Sequence, residues 1–362
     1  MVQLHDGLEV LPAAQRNARW TAEPDQSIAS CVHALRYEHR VLSEADSMES
    51  SAALNLIQAD YDAYPAAVAG LQQAYLQYPR NVSIETQVKC NAKCGFCPYP
   101  TSPRRGQEMP DERFEKLIAD LSAIPHSHPF AITLHRINEP LLDRRMQRFS
   151  RLVADRLPSA SQQFWSNGTM LKEGGFEWMG EYPRASLSIS LNSMDEDEHV
   201  QLMGLSLAPV LRGLDYLHTL VESGKFTLPV TLCAPYKSHA SANRYLTSSR
   251  ARWPLFTPAV RPFFEWMGAS HAGSEHRIEF GLPSPKAHRA TTFACAQWFD
   301  LHVLASGYVT KCCIDETGHD GDPAFDTAQH DVLTIYRNTL AQRMNLPARS
   351  TIAGCEGCKH LG

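Results

Sequence analysis

The chain has 362 residues, 43% of them hydrophobic, with Lys+Arg 34 against Asp+Glu 39 for a net charge of -5. This length supports one large domain plus an accessory unit, each with a buried core, and the absence of a long basic run or basic-aromatic stripe argues against a general polyanion or nucleic-acid binder. No signal-peptide pattern stands at MVQLHDGLEV and no apolar run reaches membrane-span length, so a soluble cytoplasmic protein is expected.

Residues 1–80 read as polar-amphipathic helix. The stretches 25–45 (DQSIASCVHALRYEHRVLSEA) and 64–78 (YPAAVAGLQQAYLQY) carry apolar residues at three- and four-residue spacing. The strands that β-augmentation would need are not evident there. From about residue 82, strand-like runs alternate with helical ones. The runs are VSIETQV (82–88), FAITLH (130–135), QQFWS (162–166), ASLSISLN (185–192), LPVTLCA (228–234) and TPAVRPFF (257–264). DERFEKLIADLSAI and MQRFSRLVADRL between them have helix periodicity. The most basic stretch, DRRMQRFSRLVADR (143–156), spaces its charges as on the wet side of an amphipathic helix. The alternation predicts an α/β fold with a parallel sheet, a partial (β/α)6 TIM barrel smaller than the closed eight-unit form. Beyond about 267 the sequence becomes irregular and richer in Cys, His and Gly. The expected units are therefore an N-terminal helical extension (1–80), a barrel (81–267) and a small C-terminal domain (268–362).

Ten cysteines stand at 31, 90, 94, 97, 233, 295, 312, 313, 355 and 358. A reducing cytosol disfavours disulfides, so clustered cysteines point to metal or redox chemistry. Cys90, Cys94 and Cys97 follow the first predicted strand directly, where the C-terminal mouth of a parallel barrel carries its active-site loops. Three thiolates can hold three irons of a [4Fe–4S] cluster and leave the fourth open to another ligand. The plainer alternative is a zinc site completed by a distant His or Cys.

The C-x3-C-x2-C spacing, with Phe96 just before its last cysteine, resembles the radical S-adenosylmethionine superfamily. The resemblance implies that the open iron is chelated by the amino and carboxylate groups of S-adenosylmethionine, and that reduction cleaves the sulfonium to a 5′-deoxyadenosyl radical. After the second strand, NEPLL resembles the family's Gly-Gly-Glu-Pro element, which implies that Glu139 takes the cofactor's ammonium group. Ile137 and Asn138 replace the two glycines, and Asn138 is carried as a cofactor contact. After the third strand, WSNGTML resembles a Thr-Asn-Gly-Thr stretch near the cofactor and brings in Asn167. On the fourth strand Ser188, Ser190 and Asn192 stand at alternate positions facing one way, where the family's polar groups touch the cofactor's ribose or carboxylate. Taken singly, these are also a turn closed by Pro, a common Asn-Gly turn and a polar barrel lining.

A second cysteine group runs from Cys295 through Cys312 and Cys313 to Cys355 and Cys358. It encloses a hairpin, LHVLASGYVTKCC, turning at Ser306-Gly307, and a helix over 331–346. It resembles the shortened SPASM-type extension, often called a twitch domain, that holds one auxiliary [4Fe–4S] cluster. The resemblance implies Cys295, Cys312, Cys355 and Cys358 as ligands, with Cys313 the alternative to Cys312; a zinc ribbon is the plainer reading. Arg261 and Glu265, beside Trp266, are candidates to bind substrate or move a proton, and a salt bridge between barrel and extension is the alternative. His135 and Arg136 are candidate pocket residues, and a lone His at a strand end is more often structural. Tyr99 reads as packing, and Cys31 and Cys233 as small core hydrophobes.

The whole implies a radical enzyme acting on a small polar metabolite, such as an aminosugar, nucleoside or amino-acid derivative. Its auxiliary cluster would take or return an electron in an oxidation, epimerisation or decarboxylation, and a flavodoxin or ferredoxin would supply reducing electrons. Two other readings stay open: modification of a ribosomally made peptide, and a zinc-stabilised binding protein without catalysis.

Overall fold

The computed structural model describes residues 70–235, 239–261 and 296–344, apart from positions 72, 311, 314, 317, 319 and 320. Ahead of these it describes only the backbone of Val2–Gln3 and Glu9–Val10, which pair antiparallel. The leading segment thus contains a short strand pair where none was expected. The helix expected over 25–45 lies outside the described residues, as do 64–69 and 72 of the one over 64–78, which is helical at 70, 71 and 73–75.

Six parallel strands run in chain order: β1 (Asn81–Ile84), β2 (Phe130–Thr133), β3 (Ala160–Ser166), β4 (Ala185–Ser190), β5 (Val230–Pro235) and β6 (Thr257–Arg261). Two later strands complete the sheet. β7 (Asp300–Val303) pairs parallel with β1, and β8 (Val309–Thr310) pairs antiparallel with β7. The order β8-β7-β1-β2-β3-β4-β5-β6 is an open, partial barrel of the α/β class. The helices are α1 (Asp111–Leu121), α2 (Met146–Arg156), α3 (Glu196–Met203), α4 (Leu207–Glu222), α5 (His239–Arg252) and α6 (Val332–Met344). The alternation is interrupted once. After β3 the crossover carries a 3-10 turn, Glu177–Glu181, in place of an α-helix. Gly174, Gly175, Gly180 and Pro183 crowd this stretch, and those residues disfavour a long helix.

Period-two alternation sorts the strand side chains. Phe130 and Ile132 of β2 pack outward with Phe114 of α1 and Phe149 of α2, whose rings stack at 3.9 Å. Leu187 and Ile189 of β4, with Leu232 of β5, pack against Val210, Leu214 and Leu217 of α4. Arg145, Arg148 and Arg151, three of the five cations of the basic stretch, reach Asp111, Asp143, Glu115 and Glu181, as a wet helix face should. Among the described residues no helix is long and apolar enough to cross a membrane.

The hairpin beyond residue 295 is built into the barrel's own sheet. The buried Arg80 guanidinium forks onto Asp300 of β7 at 2.9 and 2.8 Å, and Asn81 Nδ2 donates to the same carboxylate at 2.9 Å. Gly307 makes the turn with a φ of 88°, its face covered by Arg113 of α1. Val332, Leu333 and Tyr336 of α6 join the same core as α1 and β1. Asp300→Ala leaves the buried Arg80 charge without its carboxylate, so a loss of about 3–5 kcal/mol is expected in thermal or chemical denaturation. An unchanged melting temperature would show that the hairpin is not anchored through this pair.

Candidate functional site

β1 ends at Ile84, earlier than the sequence run suggested, and Glu85–Val88 continue as irregular chain into the loop of Cys90, Cys94 and Cys97. The loop is held from one side by α3, whose last turn offers carbonyls: Lys93 N–H donates to Met203 at 2.7 Å and Gly95 N–H to Leu202 at 3.2 Å. From beneath, Cys90 and Cys97 rest on Val88, Tyr99, Ile137 and Ala305, so Tyr99 is packing. All three cysteines are half-buried free thiols. Burial pushes Cys90 up to about 11 and Cys97 to about 12, and it raises Cys94 well above 9.0 with added repulsion from Cys97 and Cys90. Three thiols within mutual electrostatic reach in a poorly hydrated place are thiolates only when a metal takes them. Among the described residues no three Cys, His, Asp or Glu side chains close around one metal-ion position. A cubane instead takes one thiolate per iron, spread over its corners.

The second element is Glu139, in the loop after β2, 2% exposed. Its backbone N–H donates to Lys89 O at 2.9 Å, which ties the acidic loop to the cysteine loop. The carboxylate accepts from Leu141 N–H (3.1 Å), Ser166 Oγ (2.9 Å) and Asn167 N–H (2.7 Å). Burial still pushes its carboxyl up to about 7, despite those three donors. Two carboxylate oxygens offer about four lone-pair positions, so one further donor fits, and a cation there would restore the ionised form. An ammonium group meets both conditions. Asn167 extends the same constellation: its Nδ2 donates to Asn91 Oδ1 at 2.8 Å and lies 4.0 Å from Cys90 Sγ, while its Oδ1 accepts from Thr169 N and Oγ1. Asn91 and Thr169 were not singled out in the sequence, although Thr169 ends the quoted SNGT.

The other expected residues divide. Phe96 is half-buried between Cys94 and Cys97. Asn138 is buried; its Oδ1 accepts from Arg136 N–H at 2.9 Å and its Nδ2 is enclosed without an acceptor. Ser188 and Ser190 share one face of β4, but Asn192 does not continue it. The strand ends at Ser190, and Asn192 takes a left-handed φ of 61° with its N–H on Cys233 O. Its presumed alternation is therefore corrected. His135 lies beside Trp165, ring centroids 6.3 Å apart, and burial lowers its imidazole to about 4, so at neutral pH it is uncharged. Arg261 closes β6, opposite Pro235; its side chain, with Glu265, Cys295, Cys355 and Cys358, lies outside the described residues, as does Cys31. Cys233 is buried on β5. Cys312 is buried and Cys313 half-buried, just past β8.

Arg136 is no open pocket residue, since its guanidinium is engaged with the Cys312–Asp315 turn. Sequence reading also passed over Glu85, Arg104 and Glu316. Glu85 is fully buried, pairs with Arg104 and accepts from Ala305 N–H at 3.1 Å. A charged residue inside the first apolar run was the available signal. Glu316 has an enclosed oxygen with no donor among the described residues and lies within electrostatic reach of Cys97.

These loops stand at the C-terminal ends of β1, β2 and β3, where parallel barrels carry their chemistry. Residues 84–232 match the family profile described as the radical SAM superfamily. The match implies a [4Fe–4S] cluster and S-adenosylmethionine. The chain is 27% identical over 101 residues to the S-adenosyl-L-methionine-dependent 2-deoxy-scyllo-inosamine dehydrogenase of Niallia circulans, spanning 28% of this chain and 40% of that protein's length. Among solved structures it resembles Streptococcus suis SuiB bound to precursor peptide SuiA, with TM-score 0.56, 12% identity, 79% of this chain and 70% of that one. It also resembles BtrN in complex with AdoMet and 2-DOIA, with TM-score 0.50, 15% identity, 78% of this chain and 93% of that one. These two likenesses are of fold.

The raised carboxyl of Glu139 has a measurable consequence in the metal-free chain. Its folded value of about 7 lies above the ordinary 4.5, so the proton favours the folded state. Its contribution is complete below pH 4.5 and is lost as pH rises through about 7, a fall of about 3 kcal/mol. Denaturation profiles across this window should slope downward in the wild type and flatten in Glu139→Gln; equal slopes would mean that Glu139 does not hold the proton.

Proposed function

We propose that Cys90, Cys94 and Cys97 hold the [4Fe–4S] cluster and that Glu139 and Asn167 seat S-adenosylmethionine beside it. The observation that carries this reading is the meeting of the three-thiol loop with a buried carboxylate that has room for one more donor. When bound, cluster and cofactor supply a 5′-deoxyadenosyl radical that takes a hydrogen atom from the substrate, and a second cluster supplies an electron sink or source. Glu139 binds the ammonium group, while Asn167 and Asn91 fix the cysteine loop relative to it. Phe96, Asn138, Ser188, Ser190 and Asn192 line the cofactor's side of the mouth, where β4 contributes hydroxyls suited to a ribose. His135, uncharged at neutral pH, accepts a hydrogen bond rather than donating a charge.

In this reading residues 81–267 form the catalytic barrel, 1–80 an extension, and 268–362 an auxiliary unit whose Cys295, Cys355 and Cys358, with Cys312 or Cys313, hold the second [4Fe–4S] cluster. Arg261 and Glu265, where β6 leaves the barrel, act on the substrate. The substrate is a small polar metabolite, an aminosugar, nucleoside or amino-acid derivative, and the reaction an oxidation, epimerisation or decarboxylation. A flavodoxin or ferredoxin in the cytoplasm provides the electron.

Anaerobic reconstitution of the full chain is expected to give a brown protein with about eight irons. Cys94→Ala should drop this to about four and abolish formation of 5′-deoxyadenosine from S-adenosylmethionine under dithionite. Undiminished 5′-deoxyadenosine, or a colourless zinc protein, would overturn the assignment.

A further inference from the structure

The loop of Cys90, Cys94 and Cys97 grows from a short stem. Val88 N–H donates to Gln107 O at 2.8 Å, Gly106 N–H to Val88 O at 2.8 Å and Met109 N–H to Thr86 O at 2.9 Å, while Gln87 bridges Glu108 antiparallel. The stem closes residues 89–105 into one loop that carries all three cysteines. At its root the Arg104 guanidinium pairs with Glu85, the residue after β1, and both side chains are buried. The same Glu85 oxygen accepts from Ala305 N–H at 3.1 Å, in the turn between β7 and β8. One carboxylate therefore ties the end of β1, the returning arm of the loop and the hairpin. Arg104 Nε and Nη2 meet no acceptor among the described residues, so the pair with Glu85 is what holds the guanidinium in place. Glu85 also lies within electrostatic reach of Cys97. An unpaired carboxylate there would oppose the thiolate form of that cysteine, and the Arg104 charge removes the opposition.

We propose that Arg104 is a positioning residue for the cysteine loop: its ion pair with Glu85 locks the root of the loop to the end of β1, so that the three thiols stand in place before iron arrives. This rests on the reading that these cysteines hold the [4Fe–4S] cluster. Closing a loop at its root restricts everything it carries, and ligands held in advance spend less ordering entropy on binding. Lys89 O, just inside the root, accepts the Glu139 N–H. A loosened root therefore also shifts the cysteines relative to the carboxylate.

Two measurements test this. In the metal-free full chain, the amides of Val88, Gly106 and Met109 should be protected from hydrogen exchange, and should exchange about tenfold faster in Arg104→Gln. Wild-type stem amides that exchange like an unstructured chain would overturn the proposal. In the full chain, reconstituted anaerobically and reduced, the part of the electron paramagnetic resonance spectrum that responds to S-adenosylmethionine reports the cluster of this loop. Arg104→Gln should need about tenfold more cofactor to complete that response. Arg104→Lys should fall between, since it keeps the charge and loses the planar fork. A merely structural role would lower the melting temperature and leave the titration of the folded protein unchanged, so a parental titration in Arg104→Gln also overturns the proposal. Should Arg104→Gln not fold, Glu85→Gln combined with Arg104→Met, which leaves no lone buried charge, takes its place with the same expected weakening. A parent with no cofactor-responsive signal would instead contradict the cluster reading, while the exchange of the stem amides still decides whether the root is closed.

Discussion

Glu139 and Cys90 lie within electrostatic reach of each other in a place from which water is largely removed; burial raises the proton affinity of both, and the Glu139 carboxylate raises that of Cys90 further. Neither is easily ionised there alone. In the proposed reading the site is settled when cations arrive: iron for the thiols, an ammonium for the carboxylate. The hydrogen bonds around Glu139 are arranged for that event. Three donors orient both oxygens, yet they do not bring the carboxyl back to its ordinary range, so the cavity keeps an unmet demand for positive charge.

Delivering these groups to one place is the task of the parallel sheet. Parallel strands end together, so loops after β1, β2 and β3 converge although their residues are far apart in sequence. Backbone bonds then set the register between loops: Glu139 to Lys89, Lys93 to Met203, Gly95 to Leu202. On the far side of β1 the same sheet accepts β7 and β8, anchored by Arg80 and Asp300. The segment bearing Cys312 and Cys313 thereby reaches the mouth next to the Glu139 loop, with Arg136 spanning the gap.

Much of this was legible in the sequence because the signals were periodic or dense. Six apolar runs gave six strands, and the hairpin turn at Ser306-Gly307 lies where Gly307 permits a left-handed backbone. The cysteine triplet, Glu139 and Asn167 stood out because short motifs carry their own chemistry, and the structure brings them together. What escaped depended on contacts between distant segments. Nothing local tells that Arg136 turns toward residues 310–315, that Glu85 pairs with Arg104, or that Asn91 meets Asn167. Asn192 was misplaced for a different reason: strict alternation was extended past Ser190, where the backbone leaves the strand. The missing helix after β3 was signalled by its glycines, and the short leading strands had no pattern long enough to read.

The most direct test is Mössbauer spectroscopy on the full chain with Cys295, Cys355 and Cys358 replaced by Ala, loaded anaerobically with isotope-enriched iron. Adding S-adenosylmethionine should alter the signal of one iron in roughly four and leave the others as they were. A spectrum indifferent to the cofactor, or no cubane signal from Cys90, Cys94 and Cys97, would contradict an open iron at this barrel mouth.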